Sequence, residues 1–116
     1  MVYDVLLAEG VDADIELIFD FLFEAACDFG ESEGDAFDLA VRRITEIQKA
    51  MRELGYAPHQ GSLLPHLGAG IRNVTKGRAV FYFDTDDTRQ VLRILAVFFG
   101  GQDHQAGILM RLLGRL

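Results

Sequence analysis

The sequence predicts an α+β fold in which an N-terminal helix hairpin covers an antiparallel sheet. Two observations predict it. In the first half of the chain, apolar residues recur at three- and four-residue steps over two long segments, which is the period of one helical face. In the second half, three short β-prone segments are separated by turn residues. The predicted element order is β-α-α-β-β-β-α, and the 116 residues are expected to form one domain, 1–116.

The chain begins with a predicted strand over residues 2–8 and a helix that starts at Asp12. Asp12 or Asp14 is expected to accept hydrogen bonds from the free N–H groups of the first turn, and Gly30 to end the helix. Phe21 and Phe23 fall off the apolar stripe, which indicates a second packed side or an exposed patch. The stripe itself consists of Ile15, Ile18, Phe19, Leu22, Ala26 and Phe29.

A second helix follows a polar hinge at 30–35, and Gly55 is predicted to end it in the left-handed conformation. Two amphipathic helices joined by a short polar turn should pack as a hairpin. The inward stripe of the second helix is predicted to be Phe37, Val41, Ile44, Ile47, Met51 and Leu54.

The second half is predicted to contain a surface loop, a three-stranded meander and a short helix. The last strand is continuously apolar, which is typical of a strand buried in the middle of a sheet. Asp103 is expected to cap the final helix. The loop covers 55–70; the strands cover 71–75, 79–83 and 90–99; turns lie at Lys76-Gly77 and Asp84–Asp87; and the helix carries Ile108, Leu109, Leu112 and Leu113.

The net charge of −7 is distributed unevenly along the chain. Residues 1–40 contain twelve acids and no Lys or Arg, whereas residues 41–116 contain six acids and eleven bases. The remainder of the chain can therefore present a cationic face despite the acidic total, although solvated helix faces would give the same pattern.

Composition also restricts where the chain works. It contains no apolar run of about 18 residues and no signal-peptide pattern, so neither a membrane span nor secretion is expected. The single cysteine, Cys27, excludes an intramolecular disulfide and is typical of the cytoplasm. Because it lies in an acidic helical pattern, Cys27 is expected to be structural and not a nucleophile.

Three segments, in order, resemble motifs of the RelE/ParE toxin superfamily, which includes plasmid stabilisation proteins. Gly70-Ile71-Arg72 is similar to the Gly-Leu-Arg that opens one family strand. The aromatic run 79–84 resembles the next strand, and 91–103 resembles the closing strand and its Gly-x-Arg-Asp. The chain departs from the family pattern at Phe99, where His is common, and at Gln102, where Arg is common.

The resemblance to ParE-type toxins implies a toxin that inhibits DNA gyrase by direct binding, without turnover. It implies a second partner, a ParD-like antitoxin that folds onto the toxin as a hetero-oligomer. No cofactor, membrane contact or sequence-specific nucleic-acid binding is expected. The residues expected to bind the target are Arg72, Arg78, Arg93 and Arg111. Those expected to bind the antitoxin are Phe21, Phe23, Leu109, Leu112 and Leu113, which could instead pack internally.

An alternative within the same superfamily is a ribosome-dependent mRNA endonuclease of the RelE type. Its catalytic residues would be Arg72, Arg78 and Tyr82, with Arg89 and Arg93 as further cations, provided that they converge on one sheet face. Arg72 could equally pair with a carboxylate of the helix hairpin, and Tyr82 could be a packed sheet aromatic. A non-toxic homologue retained as a binding module is a third possibility.

The three histidines do not predict a metal site. His59, His66 and His104 lack the i,i+4 or Cys-paired spacing that makes such a site specific, so no metal is expected.

Overall fold

The computed structural model describes residues 2–100 and 102–114, and its fold is α+β as predicted. The predicted order of helices and strands is confirmed, with one further strand of two residues, β2, inside the predicted loop. The elements are β1 (Asp4–Leu7), α1 (Val11–Asp28), α2 (Glu33–Glu53), a 3-10 turn (Leu54–Tyr56), β2 (Ser62–Leu63), β3 (Arg72–Lys76), β4 (Ala79–Asp86), β5 (Val91–Phe99) and α3 (His104–Leu113).

All five strands belong to one sheet with the order β1-β5-β4-β3-β2. The pairs from β2 to β5 are antiparallel, but β1 pairs with β5 in parallel, so the sheet is mixed and not purely antiparallel. The direction of an edge strand depends on where the helix hairpin returns the chain, which the local pattern of the strand does not encode.

The two faces of the sheet are covered by different elements. The α1–α2 hairpin packs on one face, which we call the hairpin face, against side chains such as Phe81, Phe83 and Ile94. On the opposite face, the α3 face, Ile108 packs with Tyr82 and other buried residues. Because β4 and β5 are covered on both sides, their sequences are almost continuously apolar, as the sequence of β5 predicted.

A β-bulge interrupts the pairing of the two central strands. Tyr82 pairs with Ala96 and Phe83 pairs with Ile94, so Leu95 is the extra residue of β5. As a consequence Leu95 and Ala96 both belong to the α3 face, and the alternation of β5 resumes after them.

The start of α1 differs from the prediction. Its N-cap is Gly10, with a φ of 95°, and no side chain caps the helix. The carboxylate of Asp14 points to β5, where it accepts a hydrogen bond from the Val97 N–H. At the other end, α1 stops at Asp28 and Gly30 follows with a φ of 100°, but Phe29 is 92% exposed and does not continue the buried stripe.

The inner stripe of α2 is shifted by one residue at its start. Ala36 and Ala40 are buried, whereas Phe37 and Val41 are exposed. The Phe37 ring instead meets Phe19 of α1 at 5.5 Å between ring centroids. Small residues at the contact allow the two helices to approach closely, and the larger side chains then lie at the rim.

The glycine after α2 is needed for a reason other than the predicted one. Gly55 does not have a positive φ; it lies in the 3-10 turn, directly against the backbone of Tyr3, the residue before β1. The Tyr3 N–H donates to the Gly55 carbonyl at 2.9 Å, and a Cβ at Gly55 would collide with the Tyr3 carbonyl oxygen. Close backbone approach therefore explains the glycine.

The predicted turn at Asp84–Asp87 is wrong, because β4 continues to Asp86. The reversal falls on the residues that follow, with Gln90 at a φ of 56°. Asp103, by contrast, caps α3 as predicted, since its side chain accepts from the Ala106 N–H at 3.1 Å. None of the helices in the described part of the chain has the length and apolarity that crossing a membrane requires.

Candidate functional site

Arg111 is not a free surface cation. Its guanidinium donates to Asp14 of α1 at 2.6 Å and to the Leu95 carbonyl at 3.0 Å, so it joins α3 to α1 and to the bulge of β5. The side chains of Arg111 and Asp14 are only 25% and 10% exposed. This predicted target-binding residue is therefore occupied in holding the fold together.

Arg93 and Arg72 also have partners. Arg93 pairs with Asp84 across the β4–β5 ladder at 2.9 Å, in a groove that Arg89 also lines. Arg72 donates to the main-chain carbonyl of His59 at 2.8 Å. Its partner thus belongs to the loop before β2, and the expected pairing with a carboxylate of the helix hairpin is not formed.

Arg78 is exposed and lies over an aromatic ring. Its guanidinium carbon is 5.4 Å from the centroid of Phe99, and that of Arg43 from α2 is 5.8 Å from the same centroid. Sequence reasoning did not select Arg43, because a cation on the polar face of an amphipathic helix is ordinarily a solvated one.

Tyr82 is 1% exposed and faces α3. Its hydroxyl and the Nδ1 of His104 are 2.7 Å apart and hydrogen-bonded. Burial raises the pKa of the Tyr82 phenol, and a hydrogen bond with Asn73 opposes that rise. A groove of about 300 Å³ beside the pair is lined by residues of the sheet, of the loop between β2 and β3 and of α3: Leu64, His66, Leu67, Asn73, Tyr82, Gln105, Ile108 and Leu109.

The three residues proposed for a nuclease lie in different places. Arg72 pairs with Phe83, which packs on the hairpin face, and directly opposed residues of an antiparallel pair point to the same face. Tyr82 points to the α3 face, and Arg78 lies at the β3–β4 turn. The convergence on one sheet face that would favour a nuclease is not formed by these residues.

A hydrogen-bonded cluster lies near the β4–β5 turn, at the end of β4 opposite to the β3–β4 turn. It was not predicted from the sequence. The Nε2 of His59 donates to Asp87 at 2.8 Å, and the Tyr3 hydroxyl donates to the same carboxylate oxygen at 2.9 Å. The bond from His59, followed by that from Tyr3, holds the pKa of the Asp87 carboxyl below its ordinary value. The bond to Asp87 raises the pKa of Tyr3. The cluster is exposed, and it connects the residue before β1, the loop after the 3-10 turn and the β4–β5 turn.

The predicted antitoxin-binding residues divide into exposed and packed ones. Phe21 is half exposed and lines a groove of about 390 Å³ with Leu17, Asp20 and Glu24 on its rim. Phe23 is half-buried against the core of the hairpin face. On α3, Leu109 and Leu113 are exposed, whereas Leu112 packs against the sheet.

No cluster of three or more His, Cys, Asp or Glu side chains suited to a metal ion occurs within residues 2–100 and 102–114. His59 and His104 each have a hydrogen-bond partner on another element, and His66 lines the groove beside Tyr82.

The sheet, the helix hairpin and the C-terminal helix together form the fold of RelE/ParE-type toxins. The chain is similar to the toxin–antitoxin complex RelBE2 from Mycobacterium tuberculosis, with a TM-score of 0.61 and 15% identity over 88% of this chain and 95% of that one. It is similar to the chromosomal ParDE system from P. aeruginosa, with a TM-score of 0.64 and 17% identity over 84% of this chain and 96% of that one. A mutant of the E. coli toxin RelE in the free state has a TM-score of 0.61 and 10% identity, over 100% of this chain and 99% of that one.

No protein-family model matches the chain, and no curated protein matches it. The fold that the three motifs implied is confirmed by these structures.

Proposed function

We propose that this chain is the toxin of a toxin–antitoxin pair and acts in the cytoplasm as a single ParE-like domain. It would bind DNA gyrase through surface contacts, without chemical turnover, and a ParD-like antitoxin would neutralise it. One observation carries the choice of a binding toxin over a nuclease: Tyr82, the candidate acid, is buried beneath α3 and apart from Arg72 and Arg78.

The exposed apolar residues of α1 and α3 are the best candidates for the antitoxin-binding surface. Leu17 and Phe21 lie one helical turn apart, are exposed, and line the same groove. An amphipathic segment could insert apolar side chains there, as in helix-in-groove recognition. Leu109 and Leu113 offer a second exposed pair at the same spacing.

The alternative function, mRNA cleavage of the RelE type, has one observation in its favour. Tyr82 and His104 form a hydrogen-bonded pair beside a groove, and these are residue types that can exchange protons with a substrate. For such a role α3 would have to move, because Tyr82 is closed to solvent while α3 covers it.

The experiment that tests the proposal is pulse-labelling of DNA and protein synthesis after the chain is induced alone in a bacterial host. A toxin that blocks gyrase should reduce DNA synthesis first. The matched variant is Tyr82→Phe, which removes only the hydroxyl: growth arrest should persist in a binding toxin and disappear in a nuclease. An early fall in protein synthesis that Tyr82→Phe abolishes would replace the proposal with the nuclease, and no arrest at all would indicate a non-toxic homologue.

The target surface should be tested with alanine at Arg72, Arg78 and Arg93, leaving Arg111 in place. Arg111→Ala would break a largely buried ion pair, and the loss of folded protein would be mistaken for loss of binding. Undiminished growth arrest in a folded triple variant would show that the target binds elsewhere.

A further inference from the structure

Three cations converge on one groove near the end of β5. Arg43 comes from α2, Lys76 from the end of β3, and Arg78 from the turn that leads into β4. They line a groove of about 250 Å³ together with Phe99 and the backbone of Gly77. We call Arg43, Lys76 and Arg78 the cation cluster.

The cation cluster has no anionic partner among residues 2–100 and 102–114. The ion pairs in this part of the chain involve Lys49, His59, Arg93 and Arg111, and none involves a member of the cluster. Glu46 also lines the groove, but it makes no ion pair with a cluster member. In a chain with eighteen acids and eleven Lys or Arg, three adjacent unpaired cations are a notable concentration of positive charge.

The two arginines of the cation cluster lie against the same aromatic ring. Both guanidinium groups lie within 6 Å of the Phe99 centroid, at 5.8 and 5.4 Å, which is the range of cation–π attraction. Gly100 leaves room for one of them, since a Cβ there would be 2.9 Å from a terminal nitrogen of Arg78. Two like charges over one ring repel each other, and a bound anion would relieve that repulsion.

The structure points to phosphate groups of a polynucleotide backbone as the ligand, and we infer that the cation cluster is a phosphodiester-binding site. One arginine can satisfy a carboxylate in bidentate fashion, whereas three cations around one groove suit a ligand with more acceptor oxygens and repeated charge. The contacts would be to the backbone and would not read base sequence.

The acidic residues of α1 restrict the path that a bound polynucleotide can take. Asp20 and Glu24 line the neighbouring groove, which also contains Phe99. A polyanion seated on the cation cluster would be repelled from α1, so it should leave the groove toward the β3–β4 turn. The inference does not rest on the gyrase proposal, because it follows from the cluster's own charge and geometry.

The test is fluorescence anisotropy with labelled single-stranded DNA and RNA of mixed sequence, about 16 nucleotides long, at several salt concentrations. With three phosphate contacts, the logarithm of the binding constant should fall with the logarithm of salt at a slope of about −2, or about −0.7 per contact. The double variant Arg43→Ala with Arg78→Ala should bind at least about ten-fold more weakly, with a slope of about −0.7.

The matched control is Arg42→Ala with Arg52→Ala, which removes the same charge from exposed positions outside the groove. It should keep both the affinity and the slope of the parent protein. Lys76→Ala, an exposed strand-end position, is the second variant should the double variant fail to fold; it should reduce the slope by about one contact.

Binding of either nucleic acid with these slopes supports the inference of a phosphodiester-binding site. The comparison of DNA with RNA shows which of the two binds more tightly. The inference is overturned if neither binds at low salt, if the control variant loses as much affinity, or if a poly-glutamate peptide binds while the oligonucleotides do not. Such a failure together with intact growth arrest would remove the site and leave the proposed toxin function standing.

Discussion

Two Arg–Asp pairs in this molecule have the same chemistry but different surroundings. The side chains of Arg111 and Asp14 are 25% and 10% exposed, and the Asp14 carboxylate also accepts a hydrogen bond from the Val97 N–H. Arg93 and Asp84 are 43% and 27% exposed and lie across a strand pair. Since solvent screens the second pair more than the first, the two should differ in their effect on stability.

Arg111→Met keeps most of the apolar stem but removes the guanidinium, and we expect it to lower the free energy of unfolding by about 2–3 kcal/mol. The cost arises because Asp14 would keep its buried charge with only one backbone donor. Arg93→Met is the control and should cost less than about 1 kcal/mol. Urea denaturation followed by circular dichroism measures both, and equal losses would mean that Arg111 is better solvated than its geometry indicates.

The position of α3 on the sheet depends on Gly107, which no sequence pattern singles out. A Cβ at Gly107 would lie 2.5 Å from the Phe98 ring, so the helix approaches β5 more closely than an alanine would allow. Gly34, on the first turn of α2, has no atom within 4 Å of the corresponding position. The chain thus contains a helical glycine that is sterically required and one that is not.

Gly34→Ala should stabilise the protein by about 0.5–1 kcal/mol, because alanine loses less conformational freedom in a helix. For Gly107→Ala the same gain is offset by overpacking against Phe98, and a net loss of about 1 kcal/mol is expected. Urea midpoints of the two variants provide the comparison. If Gly107→Ala is as stable as Gly34→Ala, then α3 is free to shift on the sheet.

Local sequence patterns predicted those elements whose residues respond to their immediate surroundings. β5 is almost continuously apolar because both of its faces are covered, and Asp103 caps α3 because its acceptor reaches a donor three residues away. The prediction for α2 was wrong at Phe37 and Val41, which are apolar but exposed. Ala36 and Ala40 are the residues buried there instead. Hydrophobicity alone does not distinguish a small buried residue from a large one at the rim.

The candidate sites were harder to predict, because their partners are distant in sequence. Asp14 and Arg111 are 97 residues apart, and Tyr3 and Asp87 are 84 apart. Asp14 looked like an N-cap because acids at a helix start usually are, whereas Gly10 takes that position here. The cation cluster combines α2 with the end of β3 and the turn that follows it, and only the folded sheet brings them together.

The molecule as a whole segregates its charge. Asp12, Glu16, Asp20, Glu24 and Asp28 recur every four residues on α1, and all are exposed. Like charges at this spacing repel, so α1 depends on its packing against α2 and β5 and not on its own surface. The cations collect elsewhere, and the two grooves that share Phe99 differ in sign. A partner that contacts both grooves would need opposite charges at its two ends.

Burial is also uneven across the molecule, and we expect local stability to follow it. Phe81, Phe83, Leu92 and Ile94 are fully buried in the two central strands, whereas Ser62 and Leu63 of the edge strand β2 are exposed. Native-state hydrogen exchange should therefore be slowest in β4 and β5, faster in α3 and fastest in β2, since regions with few buried contacts open independently. The exchange rate of α3 is the most informative of these. Among residues 104–113, Ile108 is the one that is almost fully buried.

Arg111→Met should accelerate exchange in α3 more than in β4, because the ion pair to Asp14 joins α3 to α1, whereas β4 keeps all of its own contacts. Mass spectrometry of peptides covering 79–86 and 104–113 measures the two rates separately, with Arg93→Met as the variant that should change neither by as much. Equal protection of α3 and β4 in the parent protein would contradict the ranking, since it would mean that the two open in one cooperative step. Independent opening of α3 would expose Tyr82 and the groove beside it without unfolding the sheet, which is the motion that the alternative nuclease function requires and the binding function does not.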